Sequence, residues 1–138
     1  MESAFQVALN PIYRGVKPVR DPKYLAFLRT FPCVVCCGTR WIEAAHFGAH
    51  GTSQKASDLD ALPLCRAHHQ TGKHARHKIG PVRFAAMHCL DVPALQEMFQ
   101  AFWNTKKKSE LRQESNMKLL LLTVVFAAFW AALSGWTL

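Results

Sequence analysis

Two short pairs of residues with metal-binding side chains stand out in this sequence. Cys33 and Cys36 form a Cys-x-x-Cys pair, and Cys65 and His68 form a Cys-x-x-His pair further along the chain. Zinc prefers thiolate and imidazole ligands, and four of them complete a closed tetrahedral structural site. The sequence therefore predicts one structural Zn²⁺ ion held by both pairs, with Cys37 as an alternative to Cys36.

The number of cysteines argues against a disulfide framework. The chain has 5 cysteines, an odd count, and residues 1–10 lack the apolar run of a secretory signal. In a reducing cytosol such cysteines are better suited to a metal than to disulfides. We therefore expect the domain to lie in the cytoplasm.

Histidines close to these pairs predict hydrolytic chemistry. His46 lies between the two pairs, and His69 and His74 follow the second pair. A neutral imidazole can take a proton from water, and a divalent cation stabilises the charge that develops on a phosphate. We expect His46 to be the base, and His69 and His74 to hold Mg²⁺ or another divalent cation.

Short helices and strands must position these groups. Their start and stop signals are capping residues, prolines and glycines around short apolar stretches. The predicted elements are, in order, a helix that begins at Asp21-Pro22 and ends before Pro32, a strand over 41–46, a loop over 47–60, an apolar step at 61–64, a helix from Cys65 interrupted at Gly72, and a helix from 91 to about 104.

Several linked motifs resemble those of phage and prophage HNH endonucleases. They are Pro32-Cys33-x-x-Cys36, Ala45-His46, Lys55-x-x-Asp58, Leu62-Pro63-Leu64-Cys65-x-x-His68-His69 and His74. Within that superfamily the sequence is most similar to the Ref-like, RecA-dependent nucleases, from about Asp21 to Trp103. The resemblance implies a ββα-metal fold, hydrolysis of DNA phosphodiester bonds in phage recombination or DNA packaging, and a RecA-type recombinase filament as a partner.

The sequence departs from the superfamily pattern at the expected cation site. An acid or a histidine often precedes the catalytic histidine there, whereas this chain has Ala45, which cannot bind a metal. His50 is a candidate for the missing ligand, and the roles of His46 and His50 are open to exchange. Asp58 matches the narrower family as the residue that orients the base, while Asp60 occupies that position by counting back from the second ligand pair.

The charge of the chain suits a nucleic-acid partner. The formal net charge is +8 and the sequence pI is about 9.6, and a basic surface attracts phosphates. We expect Lys73, Arg76 and Lys78, together with Lys55 in the loop, to contact the DNA backbone. Such contacts position DNA without reading its base sequence.

The expected architecture is an α+β fold, with a small zinc-stapled ββα-metal domain, flanking helices and a C-terminal hydrophobic helix. The expected regions are a basic N-terminal arm (1–20), the nuclease domain (21–104), a basic linker (105–116) and a candidate transmembrane segment (117–138).

The C-terminal segment predicts an anchor in the inner membrane. Residues 119–138 carry no charged side chain and basic residues precede them, which is typical of a membrane span that leaves the preceding domain in the cytoplasm. The start of the segment, from Met117 to Leu122, is also typical of a secretory signal, so the tail has a second interpretation as part of another reading frame.

The function predicted from the sequence is that of a metal-dependent DNA endonuclease. One alternative is a non-catalytic zinc module that binds nucleic acid, which the alanine at position 45 favours. The other alternative is a membrane-tethered regulatory protein, in which the basic residues and the tail would carry the function.

Overall fold

A computed structural model describes residues 17–48 and 56–134 of the chain. The chain divides into two compact units, residues 1–101 and 102–138. The elements are helices α1 (Pro22–Leu28), α2 (Arg76–Ile79), α3 (Pro81–Met87) and α4 (Val92–Ser134), strands β1 (Ile42–His46) and β2 (Ala61–Cys65), a 3₁₀ turn (Asp58–Asp60) and a π turn (Ala67–Thr71). Helices combined with a two-stranded sheet confirm the α+β class.

Helix α1 begins where the sequence predicts. The Oδ1 atom of Asp21 accepts a hydrogen bond from the backbone N–H of Tyr24 at 3.0 Å, and Pro22 takes the first helical position, where its missing N–H costs nothing. The helix ends at Leu28, before Pro32, as predicted. Tyr24 and Leu28 are fully buried, so α1 contributes one face to the core.

Strands β1 and β2 form an antiparallel hairpin. Ile42 lies opposite Cys65 at one end of the ladder, and His46 lies opposite Ala61 at the other end. At about 3.4 Å per residue, the two ends are about 13 Å apart. The second ligand pair therefore begins at one end of the hairpin, and the predicted base lies at the other end.

The core of the first unit combines α1, the hairpin and α3. Its fully buried side chains include Tyr24, Leu28, Leu62, Leu64 and Phe84. The first turns of α4 support the segment that begins at Ala56. Gln96 donates to the backbone oxygen of Asp60 at 2.8 Å, and Gln100 donates to that of Leu59 at 3.1 Å. The 3₁₀ turn that carries Asp58 is thus held from one side by α4.

The π turn replaces most of the helix that the sequence predicts from Cys65. The N–H of Gly72 donates to the carbonyl oxygen of Ala67 at 2.9 Å, which is the wide i to i+5 spacing of a π turn. A Cβ atom on Gly72 would lie 2.6 Å from that oxygen. Glycine is therefore required here, and the predicted interruption at Gly72 is confirmed.

Helix α4 continues beyond its predicted end near Asn104 and reaches Ser134. Residues 105–116 lie within it and are rich in lysine, glutamate, glutamine and arginine, which are strong helix formers. Lys106 and Glu110 also form an ion pair one turn apart, at 3.8 Å. Local helix propensity therefore carries the helix through the residues predicted to be a linker.

The apolar tail lies at the C-terminal end of α4. None of the helices in residues 17–48 and 56–134 has the length and apolarity needed to cross a membrane. This finding contradicts the predicted transmembrane anchor and the attachment to the inner membrane that depends on it.

Candidate metal centre and hydrolytic site

The two ligand pairs come together in one cluster of four residues. One ligand atom from each of Cys33, Cys36, Cys65 and His68 lies within 4.8 Å of all the others. The Sγ atoms of Cys36 and Cys65 are 3.8 Å apart, and the Sγ of Cys33 is 3.6 Å from the Nδ1 of His68. A tetrahedral zinc ion with ordinary bond lengths places such atoms about 3.8 Å and about 3.6 Å apart, respectively. The cluster could therefore hold a metal such as zinc.

A tight turn presents the first pair of ligands. The N–H of Cys37 donates to the oxygen of Cys33, and the N–H of Cys33 donates to the oxygen of Gly38, both at 2.9 Å. Val34 donates to the oxygen of Pro63 in β2 at 3.1 Å, which fixes the turn against the hairpin. Cys37 is exposed and lies outside the cluster, so the structure selects Cys36 over Cys37 as the second ligand.

Two groups of the cluster are biased toward the form that binds metal. Burial opposes ionisation of Cys33, but backbone hydrogen bonds outweigh it and lower the pKa of this thiol. Burial and the nearby His88 lower the pKa of His68, which favours the neutral imidazole. Burial raises the pKa of Cys65 because it disfavours the charged thiolate, and the charge of Cys33 raises it further.

The structure brings the predicted base His46 together with Asp58. The Nε2 of His46 lies 3.1 Å from the Oδ1 of Asp58. The carboxylate also accepts hydrogen bonds from the Nη1 of Arg20 at 3.2 Å and from the backbone N–H of Asp21 at 2.9 Å. The buried carboxylate of Asp58 is thus fixed from three directions, and it fixes the ring of His46 in turn.

The carboxylate of Asp58 is held in its ionised form. Burial acts to raise its pKa, but the hydrogen bonds from His46, Asp21 and Arg20 outweigh burial and lower the pKa below its usual value. An ionised partner at Nε2 favours the tautomer of His46 in which Nε2 carries the proton. The Nδ1 lone pair is then available, on a side chain that is 34% exposed.

Asp60, the alternative partner for the base, has a different environment. Burial raises its pKa, and the charge of His46 offsets part of that rise. A Cβ atom at Gly48 would lie 2.3 Å from the Oδ2 of Asp60, so the glycine makes room for this carboxyl group. The direct contact with His46 belongs to Asp58.

His69 belongs to a second hydrogen-bonded group, formed with Glu43 and His77. The Nδ1 of His69 is 2.6 Å from the Oε2 of Glu43, and its Nε2 is 3.0 Å from the Nε2 of His77. Gln70 also donates to the same Oε2 atom at 2.9 Å. Burial lowers the pKa of His69, and the bond to Glu43 offsets part of that effect. The lowered pKa favours the neutral ring, with its Nδ1 proton directed at the carboxylate.

Glu43 and His77 are absent from the site predicted from the sequence. Side chains alternate between the two faces of a strand. Glu43 is therefore on the same face of β1 as Ala45, the position where a metal ligand was expected and is missing from the sequence. Glu43 could therefore have been predicted from the alternation of the strand. The position of His77 could not, because it depends on the π turn and the short α2.

A family model matches the part of the chain that contains these groups. It is described as a protein of unknown function (DUF968), and it matches residues 16–80. That range includes the metal cluster and both hydrogen-bonded groups, and it excludes α3 and α4.

One curated relative matches a shorter stretch. The chain is 44% identical over 50 residues to the "Uncharacterized protein YdfU" of Escherichia coli (strain K12), a match that covers 34% of this chain and 14% of that protein. The chain thus matches only a small part of the length of that relative. No solved structure matches significantly.

The remaining predicted site residues lie apart from these groups. His74 is exposed, and no hydrogen bond joins it to the other histidines in the described part of the chain. His50 and Lys55 lie outside the described residues. Among the residues that are described, the Cys33, Cys36, Cys65 and His68 cluster is the only group of three or more that could hold a metal.

The predicted DNA contacts differ from one another in exposure. Lys73 and Lys78 are exposed, and Lys78 donates to the backbone oxygen of Thr71 at 2.9 Å. Arg76 is only 7% exposed, and its guanidinium carbon lies 5.1 Å from the ring centre of Phe47. Burial lowers the pKa of Arg76. The side chain of Arg76 thus packs in the interior, unlike those of the two lysines.

Proposed function

We propose that this chain is a metal-dependent DNA endonuclease, with the Cys33, Cys36, Cys65 and His68 cluster as a structural zinc site and His46 as the general base. The contact between the Nε2 of His46 and the Oδ1 of Asp58, at 3.1 Å, carries the proposal. A carboxylate that orients an imidazole is the usual support for a proton acceptor in hydrolysis.

The proposed proton transfer uses the free nitrogen of His46. Asp58 holds the Nε2 proton, so Nδ1 accepts a proton from a water molecule whose oxygen bonds to the phosphorus atom. The bond between phosphorus and the leaving sugar oxygen breaks, and that oxygen takes up a proton from solvent. The imidazolium that forms is stabilised by the ionised Asp58, whose own charge is supported by Arg20. Solvent reaches this ring, because about a third of the side chain is exposed.

A divalent cation for this reaction would be held at His69 and His77, and not at the predicted His74. Their Nε2 atoms are 3.0 Å apart, which fits two adjacent ligands at the usual metal–nitrogen distance of about 2.1 Å. Glu43 on the Nδ1 of His69 is the outer partner that metal-bound histidines commonly have. When bound, the cation would stabilise the charge on the phosphate and the leaving oxygen.

The donor atoms favour a transition metal over Mg²⁺. Imidazole suits zinc, iron, copper or nickel, whereas Mg²⁺ prefers oxygen ligands. The zinc cluster does not serve this role in the proposal, because its four protein ligands leave no open position and it lies at the end of the hairpin remote from His46.

A cleavage assay on the full chain tests this proposal. The metal-loaded protein is incubated with plasmid and with single-stranded DNA in Mn²⁺, Zn²⁺ or Mg²⁺, with and without a recombinase filament, beside His46→Ala. The variant should cut roughly 100-fold or more slowly while it keeps its zinc and its affinity for DNA. Equal cutting by both proteins would exclude His46 as the base, and binding without cutting under every condition would favour the non-catalytic zinc module.

A further inference from the structure

Trp41 is an exposed aromatic side chain on a strained backbone. Its side chain is 73% exposed, and its φ angle is +57°, in the left-handed region that bulky residues rarely adopt. The conformation is fixed by the N–H of Arg66, which donates to the oxygen of Trp41 at 2.9 Å. Strained residues that expose a large apolar surface often have a functional reason.

Trp41 lies in an open depression of about 480 Å³ beside the metal cluster. Arg40 and Arg66 also line this depression, and both are exposed. None of the described residues that line it is acidic. The depression thus combines one indole ring with two guanidinium groups, on a chain whose net charge is +8.

This combination suits one class of ligand in particular. An exposed indole stacks on the face of a nucleobase, and arginines bind the phosphates on either side of it. In a duplex, both faces of each base are covered by neighbouring bases, so the ring can stack only on an unpaired base. We infer that Trp41, Arg40 and Arg66 form a binding site for single-stranded nucleic acid.

This site is distinct from the proposed general base. Trp41 precedes Ile42, which pairs with Cys65 at the metal end of the hairpin, whereas His46 lies at the other end, about 13 Å away. Binding at Trp41 requires no cleavage, so the inference stands even where the nuclease proposal fails. Where both hold, the site would retain an unpaired strand while the other end of the hairpin acts on DNA.

The test replaces Trp41 by glycine, which adopts a positive φ angle without strain. Trp41→Gly removes the ring and leaves the turn at least as easy to form, and Trp41→Phe retains an aromatic face. Trp130→Ala, which removes another exposed tryptophan, is the matched control. Affinities of the full, zinc-loaded chain for labelled oligothymidylate and for a labelled duplex are measured by fluorescence anisotropy.

We expect Trp41→Gly to bind the oligothymidylate roughly 5- to 100-fold more weakly, the range for loss of one stacked base, with little change for the duplex. Trp41→Phe and Trp130→Ala should stay close to wild type. Arg40→Gln and Arg66→Gln should each reduce the slope of log affinity against log salt by about 1. Unchanged affinity in Trp41→Gly, or an equal loss for both DNAs, would overturn the inference.

Discussion

The carboxylate of Glu43 and the ring of His69 are joined at 2.6 Å, between Oε2 and Nδ1. The contact links β1 to the π turn, two elements that are 26 residues apart in sequence at this point. It sets the tautomer of His69 and leaves Nε2 directed at His77. The orientation of His69 therefore depends on an acid that was not among the predicted site residues.

Removal of this acid should impair cleavage without loss of the zinc. Glu43→Ala should lower the cleavage rate roughly 10- to 100-fold, as is usual when the outer partner of a metal-bound histidine is removed. Glu43→Gln, whose amide oxygen can still accept from Nδ1, should retain more activity than the alanine variant. The rates are measured on plasmid DNA over a series of Mn²⁺ concentrations, with zinc content as the control. Full activity in both variants would show that the contact serves packing alone.

Substitution of His77 and of His74 should have different effects on cleavage. His77→Ala removes a ring that touches His69, so it should raise the Mn²⁺ concentration needed for half-maximal cleavage by at least 10-fold. His74→Ala changes an exposed ring and should cut like wild type. The same titration, run on both variants in parallel, decides between the ligand proposed from the structure and the one predicted from the sequence. A larger effect in His74→Ala than in His77→Ala would support His74 as the cation ligand.

The free energy of unfolding should depend on pH through the ionised carboxylate of Asp58. Its pKa is lower in the folded protein than in the unfolded chain, so its contribution is present above about pH 4 and is lost as the pH falls through the folded pKa. Asp58→Asn should be about 1–3 kcal/mol less stable at neutral pH. Its free energy of unfolding should then fall less steeply with acid than that of wild type. Denaturant unfolding at a series of pH values from neutral downward measures the stability difference and its pH dependence. If the free energies of unfolding of the two proteins fell in parallel with pH, the lowered pKa of Asp58 would be contradicted.

Adjacent cysteines provide a matched pair of variants for the metal cluster. Cys36→Ser removes a ligand and should abolish tight binding of zinc, whereas Cys37→Ser should retain it, because Cys37 lies outside the cluster. Binding of zinc to such sites is worth on the order of 10 kcal/mol, so chelation should also remove cooperative thermal unfolding. Metal content and the absorption spectrum of the cobalt-substituted protein are the measurements. Equal metal content in the two variants would contradict the assignment of Cys36, and not Cys37, as a ligand.

The sequence was sufficient for the features that depend on local chemistry. The helix cap at Asp21, the strand that ends at His46 and the interruption at Gly72 are each decided by a few neighbouring residues. The cluster of Cys33, Cys36, Cys65 and His68 was predictable because two pairs of this type and spacing suit one tetrahedral ion. Short-range stereochemistry determines each pair and each of these elements.

Other features depend on how distant elements pack, and they were not predictable. His77 joins His69 because the π turn closes over Gly72 and leads directly into α2. Arg76 was expected on the surface, yet it packs against Phe47, a residue from the other side of the loop. The length of α4 is a different case, because local sequence determines it: residues 105–116, predicted to be a linker, are mostly strong helix formers.

The register of the hairpin connects the metal cluster to His46, the proposed base. Cys65 lies opposite Ile42 and His46 opposite Ala61 on the same ladder, and a slip of one residue would turn every side chain to the other face. Five paired positions are few to specify a register on their own, but a metal bound at one end clamps it. A bound ion would thus fix the register of the whole hairpin, including its far end. A change of ligand at Cys65 would therefore first rotate His46 away from Asp58.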